Sequence, residues 1–211
     1  MNVSHKHKFV WTAPPKVASR TTKDIFRKHC DLNPQWPSND HPSDFTHANN
    51  WPQGVSDDYL HITSVRHPYY RWVSYWKYAQ NDTNELKRLG TDPLTAILEM
   101  DIGWFVAWTC YQITINTNKR IDHIIHAETL EDDIRSLPFM PNDYILDVPS
   151  VGKTNVPKGQ TWDEQRLRDE VYNRFKVDYD YFGYGKDDVY HLWDVNPIVG
   201  RTSVKTFPPK P

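Results

Sequence analysis

The sequence predicts an α/β fold in which helices flank a mostly parallel central sheet. Short apolar segments with the pattern of strands alternate along the chain with longer segments of helical periodicity. Basic or polar residues follow directly after two of these predicted strands. Because ligands of open α/β sheets bind outside the carboxyl ends of the strands, we expect a functional site at that edge.

The composition indicates one folded domain with no global charge. The chain has 211 residues, of which 38% are hydrophobic, and its net charge is −2. This length provides one full core, so we expect a single domain over residues 1–211. The nearly neutral charge argues against general binding to nucleic acid or anionic membranes, and any anion site must therefore be local.

Targeting signals and cysteines point to the cytoplasm. No apolar run approaches the ~20 residues that span a bilayer, and segment 1–11 is too polar for the apolar region of a signal peptide. Cys30 and Cys110 are too few for a disulfide framework, although a single pair stays open. We expect a cytoplasmic protein without membrane insertion, and its oligomeric state is left open.

The first predicted strand, residues 8–13, runs directly into a polar loop and then into a helix. The loop reads TAPPKVASRTT, residues 12–22. A strand–loop–helix turn aims backbone N–H groups and a helix N-terminus at one point, which favours anion binding. Lys16 adds a positive charge there. Three hydroxyls of the same segment can donate hydrogen bonds to phosphate: Ser19, Thr21 and Thr22.

This loop differs from a nucleotide-triphosphate loop. It contains no glycine, and Lys16 precedes the turn, whereas the lysine of G-x-x-x-x-G-K-[ST] follows the glycines. No acidic residue at the end of a predicted strand is placed to hold Mg²⁺. Taken alone, the segment also fits an ordinary solvated loop.

A second predicted strand, residues 58–66, ends at Arg66, and a helix begins near Pro68. Arg71 and Ser74 share one side of this helix. An apolar face with helical spacing is formed by Tyr69, Trp72, Val73 and Trp76. A guanidinium and a hydroxyl that converge on one phosphate would suit this arrangement. The alternative is a helix with an aromatic core face and surface arginines.

The remaining segments complete the alternating pattern. Residues 31–57 are rich in Pro, Asn and Asp and are expected to be mostly loop, with a brief strand near Phe45. Residues 92–115 are expected to be largely helical, and 122–128 to be a strand that leads into an acidic helix start. A capping box, Thr161 with Glu164, predicts the start of the last helix. That helix should bury Leu167, Val171 and Phe175.

Four segments in order resemble sulfotransferases that use 3′-phosphoadenosine 5′-phosphosulfate (PAPS). PPKVASRTT is similar to their 5′-phosphosulfate loop, and VRHPYYRWVSYW to their 3′-phosphate motif, R-[NH]-P-x-x-R-x-x-S-x-[YW]. HIIHAETLEDDI resembles their strand followed by E-x-L-x-x-D. VGKTNVPKG and the later VDYDYFGY resemble their late loop and closing D-[FY]-x-x-F-G-[YF]. The P-K-V-A/G start is shared with the carbohydrate sulfotransferases.

The resemblance implies a three-layer P-loop-type fold and a defined reaction. The similar segments span about 8–184, which leaves 185–211 as a C-terminal extension. The implied activity is transfer of a sulfuryl group from PAPS to a hydroxyl acceptor, with a carbohydrate preferred, by in-line displacement. The product of the cofactor is adenosine 3′,5′-bisphosphate (PAP), and no metal is required.

The resemblance also implies roles for individual residues. Lys16 would contact the oxygen that bridges phosphate and sulfate, and Arg66 and Ser74 would bind the 3′-phosphate. The 5′-phosphate would be held by amides and hydroxyls of Val17, Ala18, Ser19, Arg20, Thr21 and Thr22. Lys158 and Gly159 lie where the late loop of the family closes over the cofactor. Arg20 is a departure, because many relatives carry a small or polar residue there.

Sulfuryl transfer to an alcohol requires a general base with a pKa near neutrality, which favours histidine. We select His47, which lies between the two cofactor motifs and resembles a KHA run of some relatives, with His41 and Asp44 as alternatives. His123 and His126 lie along a predicted strand and are expected to be structural. The histidines and cysteines form no spacing typical of a zinc site.

Two other functions fit parts of the pattern. A P-loop kinase for a small metabolite would use the same strand–loop–helix turn, but the order of lysine and glycine argues against it. A non-catalytic carbohydrate-binding module on the same fold would bind sugar without transferring sulfate.

Overall fold

The computed structural model describes residues 2–34, 54–79, 92–99, 119–141 and 162–188. The strands within them are β1 (Asn2–Ser4), β2 (Phe9–Thr12), β3 (Asn33–Pro34), β4 (Leu60–Val65) and β5 (His123–His126). The helices are α1 (Ser19–His29), α2 (Pro68–Ala79), α3 (Pro93–Glu99), α4 (Leu130–Arg135) and α5 (Glu164–Phe182), with a 3-10 turn at Ala127–Thr129 before α4. In this part of the chain no helix has the length and apolarity needed to cross a membrane.

The strands form one sheet with the order β3–β1–β2–β4–β5. Neighbours β2, β4 and β5 pair in parallel, whereas β1 is antiparallel to both β2 and β3. Four of the five strands therefore run in one direction. The predicted α/β fold with a mostly parallel sheet and flanking helices is confirmed.

The core forms because the central strand is apolar on both faces. All four residues of β2 are buried, as expected for a strand covered by helices on each side. One hydrophobic cluster joins the sheet to α1 through Ile25 and Phe26 and to α4 through Ile134. A second cluster joins α2, α3 and α5, with Trp72, Trp76 and Tyr179 among its buried members.

The N-terminal strand β1 holds the start of the chain in the sheet, and His5 and His7 lie in the turn that follows it. Val3 is fully buried in a small cluster with Val10 and Val55, and the strand pairs with β2. His5 Nδ1 lies 3.0 Å from the Tyr59 hydroxyl. A strand of three residues is too short to show a period in the sequence, so only its pairing with β2 reveals it.

The last helix confirms its predicted buried face and corrects its predicted start. Leu167, Val171 and Phe175 are buried. The helix begins at Glu164 because the Asp163 carboxylate accepts a hydrogen bond from the Arg166 backbone N–H at 2.9 Å. Glu164 is thus the first helical residue and not the third, as the capping box required, and Thr161 lies outside the described residues.

Other predicted segments are described in part. Helix α3 covers the start of the segment 92–115, and the remainder lies outside the described residues, as does the segment around Phe45. Cys30 is a buried free thiol whose Sγ lies 3.7 Å from Met140 Sδ. Burial raises the pKa of Cys30 to about 12, so this thiol is unreactive. Cys110 lies outside the described residues.

Candidate functional site

Three connections meet at one edge of the sheet because β2, β4 and β5 are parallel neighbours. The loop 13–18 follows β2, Arg66 follows β4, and the turn containing Glu128 follows β5. The candidate site at the carboxyl ends of the strands therefore comprises the connections that follow β2, β4 and β5. Its centre is the loop before α1.

This loop takes a left-handed backbone without glycine. Lys16 has φ 67° and Ala18 has φ 60°, both in the region that disfavours residues with a Cβ. Each such residue costs roughly 1–2 kcal/mol, and strain of this kind is concentrated at functional sites. Ala18 is the N-cap of α1 and offers no side-chain cap, and the first turn contains no acidic residue. The positive end of the helix is thus left available to an anion.

The strain at Ala18 leads to a first prediction. Ala18→Gly should raise the unfolding midpoint, because glycine adopts this φ without a steric penalty. The strain energy relieved exceeds the entropic cost of a glycine in the unfolded chain by about 0.5–1 kcal/mol. In a chain of this size this difference raises the unfolding midpoint by about 1–4 °C. Thermal unfolding followed by circular dichroism measures it.

Ala13→Gly is the matched control for this substitution. Ala13 is buried and 6% exposed, and it is not among the residues with positive φ. Its replacement should lower the midpoint, because a packed methyl group is lost and the unfolded chain gains freedom. Equal losses at both positions would show that the backbone at Ala18 carries no strain.

Two arginines hold the loop by donating hydrogen bonds to its backbone carbonyls. Arg71 Nε donates to the Pro15 carbonyl at 3.1 Å, and Arg66 Nη1 donates to the Lys16 carbonyl at 3.4 Å. Arg71 is 3% exposed and forms a buried ion pair with Asp178 of α5, with Nη1 and Oδ2 3.8 Å apart. The alternative of surface arginines is therefore wrong for Arg71. It is a structural residue that fixes the loop to α5.

Arg66 keeps hydrogen-bonding capacity in a buried position. Its Nε atom is buried and has no hydrogen-bond partner among the described residues. Burial lowers the pKa of Arg66, and the nearby charge of Glu128 acts in the opposite direction. An unpartnered buried donor costs free energy, and at this strand end the Arg66 Nε–H is available to an anionic ligand.

Lys16 belongs to the same positively charged environment. Its ammonium lies 4.4 Å from the centre of the Tyr78 ring. Burial, with the charges of Arg66 and Arg20, lowers the pKa of Lys16 to about 8. Burial and the charge of Arg66 likewise lower the pKa of Lys77, a buried residue of α2, to about 8. The four side chains form a local cationic cluster in a chain with no net positive charge.

The hydroxyl residues of the loop differ in their surroundings. Ser19 is buried, Thr21 is half-buried and Thr22 is fully buried. The Thr22 hydroxyl donates to the Ala18 carbonyl at 3.2 Å, so it must leave this bond to donate to a ligand. Val17 is buried in the core and can offer only its backbone.

The remaining predicted site residues are placed as follows. Arg20 is exposed, and Ser74 is half-buried on α2, one turn before Lys77. His47, with its alternatives His41 and Asp44, and the late-loop pair Lys158 and Gly159 lie outside the described residues. His126 Nδ1 lies within hydrogen-bond distance of Asp133 Oδ2, at 2.9 Å, as suits a structural role. The described ranges contain no group of three or more potential metal ligands.

A half-buried hydrogen-bond network next to Arg66 was not predicted from the sequence. The backbone N–H of His67 donates to Glu128 Oε1 at 2.9 Å, and the Tyr184 hydroxyl donates to Glu128 Oε2 at 3.1 Å. His67 Nε2 lies 3.0 Å from the Gly185 carbonyl. The segments HAETL and FGY belong to the stretches that resemble sulfotransferase motifs, but nothing in their spacing shows that they meet.

His67 is a neutral structural residue within this network. Its Nδ1 accepts the backbone N–H of Tyr69 at 3.2 Å, so the ring proton is on Nε2 and is donated to Gly185. Burial lowers the pKa of His67 to about 4. The imidazole therefore caps the start of α2 and ties the end of α5 to the site without adding charge.

One comparison with known proteins identifies the family of the chain. A family model described as "Sulfotransferase family" matches residues 1–185. The match covers all three connections that form the site, as well as α5. The chain belongs to this sulfotransferase family, and its class of reaction is sulfuryl transfer to an acceptor that carries a hydroxyl. No curated protein and no solved structure gives a significant match.

Proposed function

We propose that the protein transfers the sulfuryl group of PAPS to a hydroxyl acceptor, and that this acceptor is a carbohydrate. The observation that carries the proposal is the meeting of Lys16 and Arg66 at adjacent strand ends, where the Arg66 guanidinium reaches the Lys16 carbonyl at 3.4 Å. Both side chains are cations in partly or fully buried surroundings. A ligand with anionic groups at two ends fits such a pair.

The two ends of the ligand have separate partners in this proposal. The 3′-phosphate binds Arg66, with its unpartnered Nε, together with Ser74. The 5′-phosphate binds the N-terminus of α1, from the amide of Val17 to that of Thr22. Hydrogen bonds to a charged partner contribute about 1.5–3 kcal/mol each, so the 3′-phosphate gives strong preference over nucleotides that lack it.

Transfer then proceeds by in-line displacement. An oxygen of the acceptor forms a bond to sulfur while the bond from sulfur to the bridging oxygen breaks, and PAP leaves. Lys16 donates a hydrogen bond to the bridging oxygen and stabilises its developing negative charge. The proton of the acceptor hydroxyl passes to a base, for which His47 is proposed. Lys158 and Gly159 are proposed to close over the cofactor.

The choice of a carbohydrate acceptor follows from the resemblance of PPKVASRTT to the carbohydrate sulfotransferases. It is tested by incubating the protein with labelled PAPS and a panel of glycans, lipids and small alcohols. Transfer to glycans is the expected result. Transfer to lipids or small alcohols alone would support PAPS-dependent sulfuryl transfer but refute a carbohydrate acceptor.

Cofactor binding is tested independently by calorimetry with PAP. Binding at micromolar concentration without added metal is expected. The absence of binding at high micromolar ligand would refute a PAPS site. Magnesium-dependent turnover of ATP would instead indicate a kinase, and sugar binding without transfer would indicate a non-catalytic module.

The lowered pKa of Lys16 leads to a prediction of pH dependence. A bound anion favours the protonated lysine, so affinity for PAP should fall as pH rises through the pKa of about 8 shared by Lys16 and Lys77. Between pH 7 and pH 9 we expect about tenfold weaker binding, since phosphate, with a second pKa of about 6, is ionised throughout. Calorimetry at several pH values measures it.

Lys16→Arg is the matched variant, because a guanidinium stays charged throughout this range. The decline in affinity should be smaller in this variant than in the wild type. A flat profile for the wild type would mean that neither lysine faces the ligand.

A further inference from the structure

Glu128 occupies an unusual position for a carboxylate in a phosphate site. It lies in the turn after β5, at the same edge of the sheet as Arg66. Burial raises the pKa of Glu128, and the charge of Arg66 is the largest opposing influence. A carboxylate so close to the proposed 3′-phosphate repels it, so a role other than ligand binding is required.

The two oxygens of Glu128 are held by neutral donors. Oε1 accepts the His67 backbone N–H at 2.9 Å, and Oε2 accepts the Tyr184 hydroxyl at 3.1 Å. These contacts come from the start of α2 and from the end of α5. These two hydrogen bonds fix the Glu128 carboxylate in place, and Arg66 contributes neither of them.

Arg66 and Glu128 attract each other but are not in contact. Each charge opposes the effect of burial on the pKa of the other group, yet among the described residues Arg66 forms no direct ion pair, and its buried Nε has no hydrogen-bond partner. Glu128 therefore compensates the guanidinium charge while leaving the Nε–H donor of Arg66 available. A direct ion pair through Nε would instead occupy that donor.

We propose that Glu128 is the counter-ion that sets how tightly Arg66 holds the 3′-phosphate. In the empty site the carboxylate stabilises the buried guanidinium. In the occupied site it repels the phosphate and speeds the release of PAP. The inference rests on the proposed function, because it assigns a residue that adjusts the affinity of the same site.

Glu128→Gln tests the charge alone. The amide oxygen can accept the His67 N–H, and the amide nitrogen can donate to the Tyr184 hydroxyl, so the shape of the network is kept. We expect PAP to bind about tenfold more tightly, because the repulsion is removed and the guanidinium is left without a counter-ion. Adenosine 5′-monophosphate, which lacks the 3′-phosphate, should bind as it does to the wild type.

The same variant should be less stable when empty. The unfolding midpoint of the ligand-free Glu128→Gln protein should fall, and PAP should raise it by more than in the wild type. Glu131→Gln is the control, because Glu131 pairs on the surface of α4 with Arg135 and lies outside the network. Glu131→Gln should leave the affinities for PAP and for adenosine 5′-monophosphate unchanged.

Arg66 must mediate most of the effect. In an Arg66→Met background, adding Glu128→Gln should tighten PAP binding by about twofold at most, because only the direct repulsion between Glu128 and the phosphate is then removed. A tenfold change there would show that Glu128 acts on the phosphate by another route and would overturn the assignment. If the role of Glu128 were purely structural, Glu128→Gln would weaken the binding of PAP and of adenosine 5′-monophosphate to the same extent.

Tyr184→Phe provides a second variant with the carboxylate intact. Without the tyrosine hydroxyl, Glu128 loses the donor on Oε2 and can turn toward Arg66, so PAP should bind about threefold more weakly while adenosine 5′-monophosphate is unaffected. The proposal is overturned if the wild type binds PAP but both variants bind it equally well. If the wild type does not bind PAP, the proposed function fails and the inference fails with it.

Discussion

Arg66→Met should weaken the binding of PAP by about 100-fold and that of adenosine 5′-monophosphate by only about threefold, the smaller loss arising because Arg66 also holds the Lys16 carbonyl of the loop that binds the 5′-phosphate. Arg66 carries a buried Nε with no hydrogen-bond partner among the described residues, and it lies next to the loop that contains Lys16. A charged pair that includes two hydrogen bonds contributes about 3 kcal/mol, which corresponds to this loss. Calorimetry or competition binding with both nucleotides measures the ratio.

The control for this prediction is Arg135→Met. Arg135 lies on the surface of α4, where its guanidinium pairs with Glu131 four residues earlier. Its loss should alter neither affinity. If Arg66→Met weakens the binding of both nucleotides to the same extent, Arg66 acts only by supporting the loop and does not bind the 3′-phosphate.

Asp178→Ala should reduce the free energy of unfolding by about 3–5 kcal/mol, a large share of the stability of a domain. The Asp178 and Arg71 side chains are 1% and 4% exposed, so the substitution leaves a buried guanidinium without this counter-ion. Arg71 also holds the Pro15 carbonyl, and the damage should therefore extend to the loop of the site. Urea unfolding measures the stability.

Asp180→Ala is the matched control on the same helix. Asp180 forms an exposed ion pair with Lys176, four residues earlier, and such surface pairs contribute little. Its unfolding midpoint should stay close to that of the wild type. If Asp178→Ala behaves in the same way, the buried pair does not hold α5 to the site.

Local patterns allowed most of the described elements to be predicted. The apolar segment before TAPPKVASRTT, the proline at the start of α2 and the buried face of α5 each depend on neighbouring residues in the chain. The motifs around Lys16 and Arg66 could be assigned for the same reason, because each is continuous in the sequence. Their proximity followed from the rule that parallel strands place their carboxyl ends at one edge.

The partners of the site could not be predicted in this way. The alternative of surface arginines could not be excluded for Arg71 from the sequence, because its buried partner, Asp178, is far away in the sequence and belongs to α5. The sequence shows that the loop contains no glycine. It does not show that Lys16 and Ala18 adopt positive φ. Backbone strain of this kind is imposed by the surrounding contacts, and propensity alone would place it at glycine.

The sequence by itself determined the order of strands and helices, the cationic residues at two strand ends and the similarity to sulfotransferases. These features are local, because hydrophobic periodicity and continuous motifs are carried by neighbouring residues. Only the tertiary structure decided which charges are compensated: Arg71 by Asp178 directly, and Arg66 by Glu128 at a distance. The physical reason is that compensation of a buried charge depends on distance and burial, and both are set by segments that meet only when the chain folds.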